Sequence, residues 1–184
     1  MRIIAGKFKG LVIGSGKDQS IRPAMDHVRE YIFNVIQTFV PDAAVCDLFA
    51  GSGSLGFEAI SRGAKKVVFV DKGHQALKCL HENRDRLHLA DEVRIVAADV
   101  GVYVQRETLS YDIVFCDPPY GYAHTDRIVS GIVEKKMVNP DGLLIVEHDG
   151  AKEGRFRFEE FVLFREKSFG RTIISMLMPK VDNK

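Results

Sequence analysis

Hydrophobic residues in this chain fall into short β-branched runs, separated by stretches where apolar positions recur at helical spacing. Ala43–Phe49, Lys66–Val70, Val93–Ala97, Tyr111–Cys116 and Leu143–Glu147 read as strands. Lys66–Val70 is a β-branched run, as expected of a strand buried on both faces. Between them, Leu55–Arg62, Gln75–Leu87, Gly101–Leu109 and Thr125–Lys136 read as helices. Such alternation predicts an α/β fold with a doubly wound, mostly parallel sheet. The ending breaks the rhythm. Glu160–Arg165 and Arg171–Pro179 are strands with no helix between them, joined across Ser168–Gly170. They are expected to form a C-terminal antiparallel hairpin, which brings the sheet to seven strands.

The N-terminal part is organised differently. Arg2–Ile4 and Phe8–Ile13 are β-like runs around Ala5-Gly6-Lys7, and predict a hairpin. Arg22-Pro23 forbids a helix before Pro23. From Asp26, the residues Val28, Ile32, Val35, Ile36 and Phe39 recur at helical spacing until Pro41. The expected organisation is a single domain over 1–184, with 1–21 a β-hairpin extension and 22–40 a leading helix.

Composition narrows the class. The chain has 184 residues, 46% hydrophobic and 28% charged, as in ordinary soluble domains. There is no run of 18 apolar residues and no apolar segment near the N-terminus, so neither a membrane span nor a signal peptide is expected. Cys46, Cys79 and Cys116 are far apart and without metal-ligand spacing, so reduced core cysteines in a cytoplasmic protein are expected. His74, His81 and His88 repeat every seven residues, about 10.5 Å apart on a helix. They are too distant to share a metal, and no metal site is expected. Phe156, Phe158, Phe161 and Phe164 read as packing residues. Net charge is only +1, yet residues 1–22 hold Arg2, Lys7, Lys9, Lys17 and Arg22 against Asp18 alone. A polyanion would meet this end first, and removal of 1–21 is expected to harm engagement of such a partner.

The candidate chemistry begins in Val45–Gly56, reading VCDLFAGSGSLG. Gly51, Gly53 and Gly56 fit G-x-G-x-x-G between a strand and a helix, and Asp71 follows Gly51 by 20 residues. This is also the dinucleotide fingerprint, with the acid placed to grip ribose hydroxyls. On these residues a nicotinamide oxidoreductase stays open. Asp47 at the tip of the first strand suits a cationic ligand better than a pyrophosphate. Asp99, after the third strand, can accept from an adenine amino group.

The fourth strand runs into Asp117-Pro118-Pro119-Tyr120. Two prolines stiffen the backbone and leave carbonyls facing outward. Asp117 and the Pro118 carbonyl can accept from one exocyclic amine, and Tyr120 offers a flat face for a base. Such a pocket would align a weak amine nucleophile and stabilise charge developing on it. A base in a duplex would have to flip out to reach it.

D-x-F-x-G-x-G followed by Asp-Pro-Pro-Tyr resembles the Rossmann-like S-adenosylmethionine methyltransferases that modify base amines. Further motifs narrow the resemblance to the RsmD family. They are Arg2-Ile3-Ile4-Ala5-Gly6 with Lys9-Gly10, Arg22-Pro23 with Asp26, Val28-Arg29-Glu30 and Phe33-Asn34, and Lys167-x-Phe169-Gly170-x-Thr172. The resemblance covers essentially the whole chain. Ala24 departs from it, where the family usually has Thr. It implies methyl transfer from S-adenosyl-L-methionine to the N2 amine of a guanine in small-subunit ribosomal RNA, with the RNA or the assembling subunit as partner and the protein a monomer. It implies cofactor contacts from Asp47, Phe49, Gly51, Ser52, Gly53, Asp71, Lys72, Asp99 and Val100. Asp117, Pro118 and Tyr120 would hold the reacting base, and Arg22, Arg29, Glu30 and Pro119 would border it. An adenine amine in DNA or RNA is the alternative acceptor, and a non-catalytic RNA-binding module is the remaining class.

Overall fold

The computed structural model describes residues 1–14, 22–119, 121–150 and 160–180, with 22–25 described by backbone alone. Its strands are β1 (Ala44–Leu48), β2 (Lys66–Asp71), β3 (Val93–Ala97), β4 (Tyr111–Cys116), β5 (Val138–Asp149), β6 (Phe161–Phe169) and β7 (Thr172–Pro179). The helices are α1 (Arg22–Val35), α2 (Ser54–Ser61), α3 (His74–Arg86), α4 (Val100–Arg106) and α5 (Thr125–Glu134). The seven strands form one sheet in the order β3-β2-β1-β4-β5-β7-β6. β1 to β5 run parallel, and β7 is antiparallel to both β5 and β6. The chain starts at β1, steps outward to β3, then crosses back to β4. The reversal of strand order between β1 and β4 opens a crevice at the strands' carboxyl ends.

Strand alternation sorts the core onto two faces. Val45, Phe69, Ile113, Phe115 and Ile145 pack with Ile32, Phe33 and Ile36 from the α1 region and with Phe57 of α2. Cys46, Leu48, Val114, Cys116 and Val146 pack on the other side with Val104 of α4 and Ile128 and Ile132 of α5. All three cysteines are buried, as expected. His74, His81 and His88 are exposed, and His88 lies beyond the end of α3. Among the described residues no helix is long and apolar enough to cross a membrane.

The N-terminal runs pair antiparallel around an Arg2–Val12 bridge, as expected: Met1 and Ile13 exchange backbone hydrogen bonds, and Ile3 donates to Leu11 and accepts from Gly10. The turn between the runs is docked on the domain. Glu58 of α2 accepts from the amides of Ile4 and Ala5, and Ser61 accepts from Phe8 and donates to the Ala5 carbonyl. Gly6 touches the Ser61 carbonyl so closely that a Cβ would overlap it. Ile3 and Ile13 are fully buried in the core. The segment is therefore part of the fold, and its deletion would open the core rather than trim a surface arm.

Three boundaries differ from the pattern. α1 begins at Arg22, because Pro23 in a first turn loses no helical hydrogen bond, and it ends at Val35 rather than near Pro41. The Asn139–Gly142 turn lies inside β5, where the register slips opposite Tyr111 and Ile113. Asp112 holds that irregularity by accepting from Asn139 Nδ2 and the Ala44 amide. β6 extends to Phe169, and Gly170 with φ +62° begins the turn into β7.

Candidate active site

Val45–Leu48 ends as a strand because Phe49 takes a left-handed conformation, φ 59°, unusual for an aromatic residue. Gly53 follows with φ +79°, and a Cβ there would meet Phe57 and Leu80 at 2.6–2.7 Å. At Gly56 a Cβ would fall 2.2 Å from Phe69, so this glycine lets α2 lie directly on β2. The turn is thereby drawn tightly over the end of the sheet, next to the reversal of strand order.

Each acid predicted for this region is occupied by the protein itself. Asp47 is 2% exposed and accepts from the Gly56 amide at 2.9 Å. Burial, then the charges of Asp117 and Asp71, push its carboxyl well above the usual range. Asp71 accepts from the Gly51 amide at 2.9 Å and the Gly73 amide at 2.7 Å, tying the glycine turn to the start of α3. Asp99 caps α4 by accepting from Gly101 and Val102. Its second oxygen pairs with Lys72 Nζ at 2.9 Å. The pair raises the Lys72 ammonium and holds the Asp99 carboxyl low. Ser52 contributes its carbonyl, which accepts from the buried Asn83 side chain, and Val100, the first residue of α4, is buried.

The β4 side is arranged otherwise. Cys116 and Val146 are the last paired residues of β4 and β5. Asp117 and Glu147 come next on these adjacent strands, and both point away from the face that buries Cys116 and Val146. Both are half-buried. Among the described residues neither has a hydrogen-bond or ion-pair partner. Burial pushes the Asp117 carboxyl up to about 6. Burial, then the Asp117 charge, pushes Glu147 up to about 7. Beyond them the Pro119 carbonyl accepts from the Tyr122 amide, closing a turn. Phe49 from the β1 end meets Tyr122 edge-on at 5.1 Å. The glycine turn and the Asp-Pro-Pro turn therefore share an aromatic contact where the strand order reverses.

The fold brings Asp47, Phe49, Gly51, Ser52, Gly53, Asp71, Lys72, Asp99, Val100, Asp117, Pro118 and Pro119 to this edge of the sheet. Arg29 is placed differently. It is 4% exposed, donates to the Arg2 carbonyl at 2.8 Å, and joins Asp26 and Glu58 in a buried network that holds the N-terminal segment. Burial lowers its pKa despite these acids. Glu30 is exposed on α1. Tyr120 and the Arg22 side chain lie outside the described residues, as do Phe156 and Phe158. Two residues were not singled out in the sequence. Glu147 becomes visible only once β4 and β5 are known neighbours. Asn83 accepts from the Gly14 amide and donates to the Gly14 and Ser52 carbonyls, linking the N-terminal segment to the glycine turn.

A family model described as Conserved hypothetical protein 95 matches residues 1–178. Ribosomal RNA small subunit methyltransferase D of Haemophilus influenzae is 32% identical, over 92% of this chain and 89% of that protein. YlbH of Bacillus subtilis is 33% identical, over 96% of this chain and 97% of its own. Among solved structures, yhhF from Escherichia coli superposes with a TM-score of 0.88 at 27% identity, covering 99% of both chains. HI0767 from Haemophilus influenzae gives 0.82 at 29% identity, covering 97% of both. The sheet order, the terminal hairpin and the docked N-terminal segment thus occur together with near-complete sequence coverage, and the chain belongs to the RsmD family of Rossmann-like methyltransferases.

Proposed function

We propose that this protein transfers a methyl group from S-adenosyl-L-methionine to the N2 amine of a guanine in small-subunit ribosomal RNA, as a cytoplasmic monomer acting on the RNA or the assembling subunit. One observation carries this reading. Asp117 is a half-buried carboxylate without a partner among the described residues, at the end of β4 beside the glycine turn. A relative named ribosomal RNA small subunit methyltransferase D, from Haemophilus influenzae, supports small-subunit RNA as the substrate.

The cleft fits a cationic nucleoside. Asp47, Asp71 and Asp117 are close enough for Asp47 to feel both other charges, and such a field opposes a pyrophosphate. Gly51, Ser52 and Gly53 would lie under the ligand, with Phe49 at one side. Asp71 would offer its remaining lone pairs to the ribose, and Asp99, Val100 and Lys72 would border the adenine. The bound cofactor supplies an electrophilic methyl. The chain's own residues do the rest. Asp117 and the Pro118 carbonyl accept from the N2 hydrogens and hold the amine in line. As the N2 lone pair forms the new bond, their negative ends face the positive charge growing on nitrogen. Asp117 is then placed to take the departing proton. Pro119 stiffens the turn, and Tyr120 would stack on the base. Exposed Arg2, Lys7 and Lys9 on the docked N-terminal segment would face the RNA backbone, with Arg29 holding the segment in place; Arg22 and Glu30 would border the base.

Nucleoside mass spectrometry of ribosomal RNA from cells with and without the protein tests this reading. N2-methylguanosine should drop by one site per small subunit without it. Calorimetric titration should show S-adenosylhomocysteine binding and no NAD binding; the reverse would sink the proposal. Because deleting 1–21 would damage the core, Lys7→Glu with Lys9→Glu is the cleaner probe of RNA engagement.

A further inference from the structure

We infer that Glu147 is a second acceptor in the base pocket: it receives the N1–H of the guanine whose N2 amine Asp117 holds, and so makes the pocket select guanine over bases lacking that donor. The inference rests on the methyl-transfer reading above and deepens it.

The placement comes from the sheet. Asp117 and Glu147 directly follow the paired residues Cys116 and Val146 on neighbouring parallel strands. Their side chains share one face and one row. Antiparallel pairing puts Ile174 of β7 beside Glu147 on the far side. Ile174 is fully buried and brings no donor from its side chain. Glu147 thus has an apolar neighbour on one flank and Asp117 on the other, and no partner among the described residues. Two adjacent carboxylates without donors repel each other and stay costly in the unliganded protein. That arrangement is relieved by a ligand presenting two adjacent donors.

A guanine presents this pattern on its Watson–Crick edge, where N1–H stands next to the N2 amine. Unstacked bases are read on that edge. Adenine sets the bare acceptor N1 beside its amine, which would face an ionised Glu147 with no hydrogen between them. A pocket whose polar groups are left unmatched rejects such an analogue strongly. No proton or electron need move through Glu147. The methyl–nitrogen bond forms at N2, the methyl–sulfur bond breaks with its pair left on sulfur, and the N2 proton departs to Asp117 or water.

The test uses the full-length protein at about pH 8, where both carboxylates are ionised. Nucleoside mapping first locates the methylated position. Small-subunit RNA carrying guanine or 2-aminopurine there is then offered to the wild type, Glu147→Gln and Glu147→Asp. 2-Aminopurine keeps the N2 amine but lacks N1–H. Glu147→Gln should lower kcat/KM on guanine about 10- to 100-fold, the loss expected for a charged hydrogen bond, and leave turnover of 2-aminopurine equal or higher, because an amide can donate to its N1. S-adenosylhomocysteine affinity should stay within about twofold. Glu147→Asp, which keeps the charge, should fall between and retain the guanine preference. An unchanged guanine to 2-aminopurine ratio in Glu147→Gln would overturn the inference while leaving the methyl-transfer reading intact. Loss of S-adenosylhomocysteine binding together with turnover, in both variants, would also overturn it, by giving Glu147 a structural role. No N2-methylguanosine from the wild type would overturn both.

Discussion

The two halves of the sheet's carboxyl edge use the same side chains for opposite purposes. On the β1–β2–β3 side, Asp47, Asp71 and Asp99 all accept from backbone amides of the protein. They hold the glycine turn, the start of α3 and the start of α4 in place before any ligand arrives. On the β4–β5 side, Asp117 and Glu147 have no such amides among the described residues. The first group builds a rigid cradle, whereas the second keeps acceptors open for a base. Rigidity suits a cofactor of one shape, bound every cycle. Open acceptors suit a substrate that must be recognised by its donors.

The largest expected effect breaks the contrast at Asp117. Asp117→Asn should cut methyl transfer about 100- to 1,000-fold while S-adenosylhomocysteine affinity, read by calorimetry, holds. The same substitution should leave the unliganded protein as stable as the wild type or more so, since it removes a poorly solvated charge. Asp71→Ala should do the reverse. It orphans the Gly51 and Gly73 amides, and denaturant unfolding should report a loss of about 2–4 kcal/mol, with weakened cofactor binding. A stable Asp71→Ala and an unstable Asp117→Asn would invert the assignment of the two halves.

A smaller effect appears in pH. Asp117 and Glu147 are raised in the folded state, to about 6 and about 7. Between about pH 4 and pH 7 the folded protein therefore holds protons that the unfolded chain has released. Their contribution to stability falls as pH rises through that window. Methyl transfer should rise over the same range, because the accepting groups must be ionised. Thermal melts of Glu147→Gln should show a flatter stability profile than the wild type from pH 5 to about 8. The smallest effect belongs to Lys72→Ala. Its exposed pair with Asp99 is screened by solvent, and Asp99 keeps its cap on α4, so the melting temperature should barely move.

Much of the fold was legible in order and type. Four strand-then-helix units, a fifth strand and a final hairpin follow from β-branched runs and helical spacing, which depend on local geometry. The N-terminal pairing of Arg2–Ile4 with Phe8–Ile13 was legible too, but its docking was not. Glu58 and Ser61 on α2 take the amides of Ile4, Ala5 and Phe8, and Glu58 lies more than 50 residues away in the chain, so no local pattern announces it. The site was legible as two motifs. Their meaning shifted where tertiary contacts claimed a side chain. Arg29, expected near the substrate, is drawn into a buried network by the Arg2 carbonyl and Glu58. Glu147 reads as the polar end of an apolar strand until β5 is placed beside β4.

The sequence by itself determined the parallel sheet, the glycine turn after β1 and the Asp-Pro-Pro turn after β4, because each rests on steric and periodic rules that act within a few residues. Only the tertiary structure decided which acids remain available to a ligand. A carboxylate's role depends on whether an amide from elsewhere in the chain reaches it first, and at this edge, among the described residues, Asp71 is reached and Asp117 is not.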